Sequence, residues 1–301
     1  MTPEPLTTVP LSDRCSVTLH RTLRIPDDGG DYPLPPSLGA MQAHATDEDE
    51  FVVPVHRAEA LWLEFTAPWW KPHVLKVGIG GVDAISGEAF EPAGLTAKPQ
   101  DYLVLPDQPW LDGINAGDGF IRQFVAVPLG EGLTVEAQLT GAEEFGGLTL
   151  SLFAPRPGLF PDEPPAHEDH YDGEVMACAS PQPMGLGAGG RMRQEIYADE
   201  HGIDTWESEP IATVRVDLVD ALAFAAITGR PVPPPVIDAN TYTEFGMPWF
   251  DLMQPNRSDI KAAQRLAGIR SVADLEGLEE APLPIPDAQV IRLLSLRPQP
   301  A

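Results

Sequence analysis

The chain has 301 residues, with 45 acidic against 19 basic side chains and a formal net charge of −26 at pH 7. That balance disfavours nucleic acid and anionic membranes, because phosphate backbones and headgroups are held chiefly by Lys and Arg. It leaves a protein, small-molecule or polymer partner open. The 34 prolines argue against long helices and unbroken central strands, since proline lacks an N–H and locks φ. Two cysteines, Cys15 and Cys178, make neither a disulfide framework nor a zinc cluster and fit a reducing compartment. No leader pattern opens the chain and the longest apolar run, 221–228, is far too short to span a bilayer. The expectation is a soluble, cytoplasmic protein.

In chain order, residues 1–15 carry prolines and little apolar content and read as a flexible N-terminal tail. Residues 16–25 alternate, with Val17, Leu19, Leu23 and Ile25 on one face and Thr18, His20, Thr22 and Arg24 on the other, which predicts a strand with one solvated face. Arg21 breaks that pattern and needs a carboxylate partner or an edge position. Short strands are predicted at 61–65, 74–79, 102–105 and 121–127. Period-two alternation at 134–140 and again at 148–152 predicts an antiparallel hairpin.

Residues 155–173 are proline-rich and acidic and read as a linker. Beyond it, 214–219 predicts a strand, and 220–228 a helix stopped by Gly229 and Pro231. Ser258, Asp259, Ile260, Ala263 and Leu266 have the spacing of a capped helix over 258–267. A last edge element is predicted at 290–296. Together these predict a mainly β, β-rich α+β protein: a sandwich-like antiparallel core over 16–154, and a C-terminal α+β region, 174–301, with one or two short helices packed on it.

Four places have residue types suited to chemistry. His167, Asp169, His170 and Asp172 offer nitrogen and oxygen ligands, and a divalent metal is the one cofactor suggested; their spacing matches no established ligand pattern and equally suits a solvated loop. Residues 185–190 contain a G-x-G-x-x-G match followed by Arg191 and Arg193. The proline-rich segment before it is unsuited to the strand a dinucleotide site requires, so a loop or small-anion nest is expected. Asp107, Asp112, Asp118 and Arg122 sit around a Gly- and Asn-rich connection and form a candidate polar pocket walled by Trp110; Asp and Asn also serve simply to cap turns. Trp69, Trp70 and Trp110 form a candidate aromatic platform, whereas Trp249 and Phe250 are expected to anchor a proline-rich segment to the core.

Three stretches carry a resemblance: 100–113 running on through Arg122-Gln123-Phe124 and 134–141; 184–197 with 202–206; and 242–250. Together they resemble a family of uncharacterised microbial proteins of about this length. The resemblance brings across no activity, cofactor or catalytic residue, and implies only that the chain is one integral unit. From the residues, the favoured reading is a non-catalytic binding or structural protein using aromatic loops on a β scaffold. The alternative is a hydrolase-like enzyme with a carboxylate and histidine site, metal-assisted or not.

Overall fold

The computed structural model of the chain describes residues 4–117, 119–163, 183–253 and 259–294. The first half holds strands β1 (Val9–Pro10), β2 (Ser16–Thr22), β3 (Asp31–Tyr32), β4 (His44–Asp47), β5 (Glu50–Val55), β6 (Ala60–Thr66), β7 (His73–Ile79) and β8 (Val82–Asp83). After them come β9 (Leu103–Leu105), β10 (Trp110–Leu111), β11 (Gly113–Gly117), β12 (Phe120–Pro128), helix α1 (Val135–Thr140) and β13 (Leu148–Phe153). The second half holds β14 (Pro183–Arg193), β15 (Ala212–Asp220), α2 (Ala221–Thr228), α3 (Ala239–Glu244), β16 (Trp249–Met253), α4 (Gln264–Ala267), α5 (Val272–Glu276) and β17 (Val290–Leu294).

The first 15 strands form one mainly antiparallel sheet, whose central order is β1-β2-β6-β12-β14-β15-β13-β7-β8; β16 and β17 pair separately, in parallel. The expected β-rich architecture is present. Its organisation differs from the expected core with a C-terminal overlay, because β14 and β15 lie between β12 and β13, inside the sheet. Residues 16–154 therefore do not form its centre alone.

Burial follows from the alternation of side chains across the pleat. On β2, Val17 and Leu19 are buried while Thr18 and His20 are partly exposed. Arg21 meets a carboxylate as required: its Nε lies 3.1 Å from Glu59 Oε1, and its Nη1 donates to the Pro234 carbonyl at 2.6 Å. Strand β7 is buried along its length. Leu75, Val77 and Ile79 enter the main core, while Val74 joins Tyr102, Val104, Phe153 and Trp206 in a smaller cluster. Trp249 is fully buried, as an anchor should be.

Several expectations are overturned. The N-terminal segment is no loose tail from residue 6 onward: Leu6 bridges Ala43, β1 pairs with β2, and Val9, Leu11 and Cys15 are buried. Residues 135–140 form α1 rather than a strand. Thr134 accepts from the Ala137 N–H at 2.9 Å and Gly141 closes the helix at φ 79°. Two end caps outweigh an alternation only seven residues long. Its supposed partner, β13, pairs with β7 and β15.

The helix expected over 258–267 is reduced to α4, because the Ile260 N–H is given to the Ile196 carbonyl and Asp259 bridges Tyr197 in extended geometry. The glycine-rich stretch 185–190 is neither loop nor anion nest but the middle of β14, packed against β12. The glycines are needed for close packing there. A Cβ on Gly187 would stand 2.5 Å from Val272 Cγ2, and one on Gly190 would stand 2.3 Å from the Pro26 carbonyl oxygen. No helix among the described residues is long and apolar enough to cross a membrane.

Candidate functional site

A cleft of about 720 Å³ opens where four loops meet, contributed by residues 85–88, 97–102, 198–203 and 260–265. Behind the 85–88 loop lies Asp83, fully buried at the end of β8. Asp83 Oδ1 accepts from the Ile85 N–H, the Ser86 N–H and the Ser86 hydroxyl at 3.0, 2.7 and 2.9 Å. Its other oxygen has no hydrogen-bond partner among the described residues. Burial pushes this carboxyl up to about 7, against the opposing pull of those donors.

Asn115, from β11, ties the 85–88 loop to the 260–265 loop, donating from Nδ2 to the carbonyls of Ile85 at 3.1 Å and Lys261 at 3.2 Å. The far wall is organised by Asp199. Its Oδ1 takes the N–H groups of His201 and Gly202, and its Oδ2 takes the Tyr102 hydroxyl at 2.7 Å and the Trp206 indole at 2.9 Å. Burial, and then this carboxylate, raise the Tyr102 hydroxyl well above its ordinary value.

Three cationic side chains, Lys98, Lys261 and Arg265, and two anionic ones, Glu88 and Asp199, line the cleft. Arg265 is paired with Glu88 at 2.6 Å. Asp199 is saturated by four donors. The ammonium groups of Lys98 and Lys261 have no ion pair or hydrogen bond among the described residues. Ile85, Tyr102, Ile203 and Ile260 supply apolar wall.

A second cleft, of about 460 Å³, differs in this respect: its Arg24 is held by Glu280 at 2.9 Å, and its Arg57 by Glu131 and Glu276 at 2.8 Å each.

The residues singled out from sequence are dispersed. Asp112 is fully buried and bound reciprocally to Gln194, accepting at 2.7 Å and donating its N–H at 3.0 Å, with the Trp110 indole on the same carboxyl. Burial raises it to about 7. Arg122 Nη1 is spent on Asp27 at 3.1 Å and the Gly189 carbonyl at 3.3 Å. Asp107 sits in the turn before β10. None of these three lines either cleft.

Arg191 pairs with Asp31 and lies over the Phe120 ring at 3.8 Å, and Arg193 faces Asp251 at 3.8 Å, so both are engaged along β14 rather than around an anion. Trp69 is 64% exposed and meets Trp70 edge-on, 5.9 Å between centroids. These two and Trp110 also stand apart from the clefts. Asp118, His167, Asp169, His170, Asp172 and Cys178 lie outside the described residues. Among the described residues, no group of three His, Cys, Asp or Glu side chains is placed to hold a metal ion.

Sequence reasoning missed Lys98 and Lys261. The signal available was scarcity: with only 19 basic residues in the chain, three at one cleft is a concentration. Comparisons with family models, with curated proteins and with solved structures return no match for this chain.

Proposed function

We propose that this protein binds a small organic anion, a carboxylate or phosphate on an apolar body, in the cleft between residues 85–88, 97–102, 198–203 and 260–265. The observation that carries the reading is the pair of unengaged lysines, Lys98 and Lys261, on one cleft of a chain whose net charge is −26. In the second cleft the arginines are held by acidic neighbours; here two lysines are left for a ligand. The apolar wall of Ile85, Tyr102, Ile203 and Ile260 favours an organic anion over a bare inorganic one. Under this reading binding belongs to the cleft rather than to the tryptophan loops that the sequence suggested.

The test is a calorimetric titration with a matched set of ligands: benzoate and phenyl phosphate against benzyl alcohol and benzylamine. The anions are expected to bind and the alcohol and amine to fail. The double substitution Lys98→Ala, Lys261→Ala is expected to weaken anion binding by about 10-fold or more, at roughly 1 kcal/mol per surface charge contact. Equal binding of anion and alcohol, or an unchanged double variant, refutes the reading.

A further inference from the structure

Away from the cleft, the outward face of β2 and β6 holds a hydrogen-bonded line of three side chains. Antiparallel pairing sets His20 opposite Trp62 and Thr18 opposite Glu64. His20 therefore reaches Glu64 diagonally, with Nε2 2.8 Å from Glu64 Oε2. The imidazole stacks on the Trp62 indole at 4.2 Å and 12°, which fixes its plane. Its other nitrogen, Nδ1, lies 2.7 Å from Ser37 Oγ.

Ser37 belongs to a segment pinned along β2: the Leu38 N–H donates to the Arg21 carbonyl, the Arg21 N–H to the Gly39 carbonyl, and the Met41 N–H to the Leu19 carbonyl. Just before it, Thr22 Oγ1 donates to the Pro36 carbonyl at 2.8 Å. The Gly39 N–H donates to Ser37 Oγ at 3.1 Å. The Glu64 carboxylate can only accept, so in the neutral imidazole Nε2 bears the ring proton, directed at Glu64, and Nδ1 accepts from the Ser37 O–H. Hydroxyl, base and carboxylate stand in the order that activates a serine nucleophile, with the two ring nitrogens exchanged relative to the usual arrangement.

We infer that Ser37, His20 and Glu64 form a hydrolytic centre for small carboxylic esters, with Ser37 as nucleophile, His20 as general base and acid, and Glu64 as the group that orients the imidazole. The Ser37 Oγ–carbonyl carbon bond forms as the hydroxyl proton passes to His20 Nδ1, and Glu64 stabilises the resulting imidazolium. The tetrahedral adduct collapses with cleavage of the ester C–O bond, and Nδ1 returns the proton to the departing alcohol. Water then attacks the acyl-serine, its proton passing through the same nitrogen, and the carboxylic acid leaves with Ser37 restored. Ser37 is exposed and Glu64 half exposed, so the centre is open to small esters and to water.

The experiment is incubation of the whole protein with p-nitrophenyl acetate, following nitrophenolate release and, after rapid acid quench, the acetylated peptide by mass spectrometry. Acetylation at Ser37 and turnover at least about 100-fold above that of Ser37→Ala are expected, in the range a positioned base supplies. His20→Phe, which keeps the stack on Trp62 while removing both nitrogens, should fall to the Ser37→Ala level, and Glu64→Gln should fall between. A melting curve on each variant shows that the comparison is made on folded protein. Acetyl groups found only on lysines, or a Ser37→Ala rate equal to the parent's, overturn the inference.

Discussion

The cleft and the outer face of β2 and β6 use polar side chains in opposite ways. In the cleft, Asp83, Asn115 and Asp199 are committed to the backbone and to buried Tyr102 and Trp206, so that the wall itself rests on them. On the sheet face, Ser37, His20 and Glu64 are committed to one another, over a scaffold already complete in its backbone hydrogen bonds. A loop-built site couples its chemistry to stability; a strand-built site separates them.

The sharpest way to break this contrast is Asp199→Ala. It leaves the Tyr102 hydroxyl and the Trp206 indole without their carboxylate, and a buried donor stripped of its partner costs about 1–3 kcal/mol. We expect a loss of roughly 2–4 kcal/mol, read by denaturant unfolding. A loss within error would show that the cleft wall stands without its hub.

Of similar size is Asp83→Asn, read as melting temperature against pH. The carboxyl sits at about 7 in the folded protein and near 3.9 when unfolded. Its contribution is therefore complete below about pH 4 and is lost as pH rises toward 7, at about 1.4 kcal/mol for each pH unit between the two values. The amide keeps the Oδ1 acceptor and carries no charge. The variant should gain on the parent between pH 4 and pH 8, and a difference that does not change with pH removes Asp83 as a titrating group.

The smallest effect is expected on the sheet face. Ser37→Ala should change unfolding free energy by no more than about 0.5 kcal/mol, as for surface substitutions generally. A drop as large as that of Asp199→Ala would make the Ser37–His20–Glu64 line a structural support.

The legible parts of the fold were those governed by neighbouring residues. The alternation of Val17 and Leu19 with Thr18 and His20, the need of Arg21 for a carboxylate, and the stop of α2 at Gly229 are all local, and all are present. Local signals misled where two of them competed, as at Thr134 and Gly141, whose caps defeat an alternation.

The glycines of β14 read as a loop because their purpose, room for Val272 and Pro26, lies far off in sequence. Both sites were illegible for a related reason. His20 was placed on a solvated face from sequence, but only register brings it to Glu64, 44 residues away, and to Ser37. Lys98 and Lys261, 163 positions apart in the chain, line one cleft.

The position of β14 and β15 between β12 and β13 also sets an order of events during synthesis. When the ribosome has released the first 163 residues, β12 and β13 each present an edge whose partner has not yet been made. Those edges stay open until translation passes residue 220, and an unpaired strand edge is a template for joining another chain. A nascent molecule stalled in that interval is expected to self-associate, so for this protein the pace of elongation across the proline-rich middle decides how long each new copy is at risk.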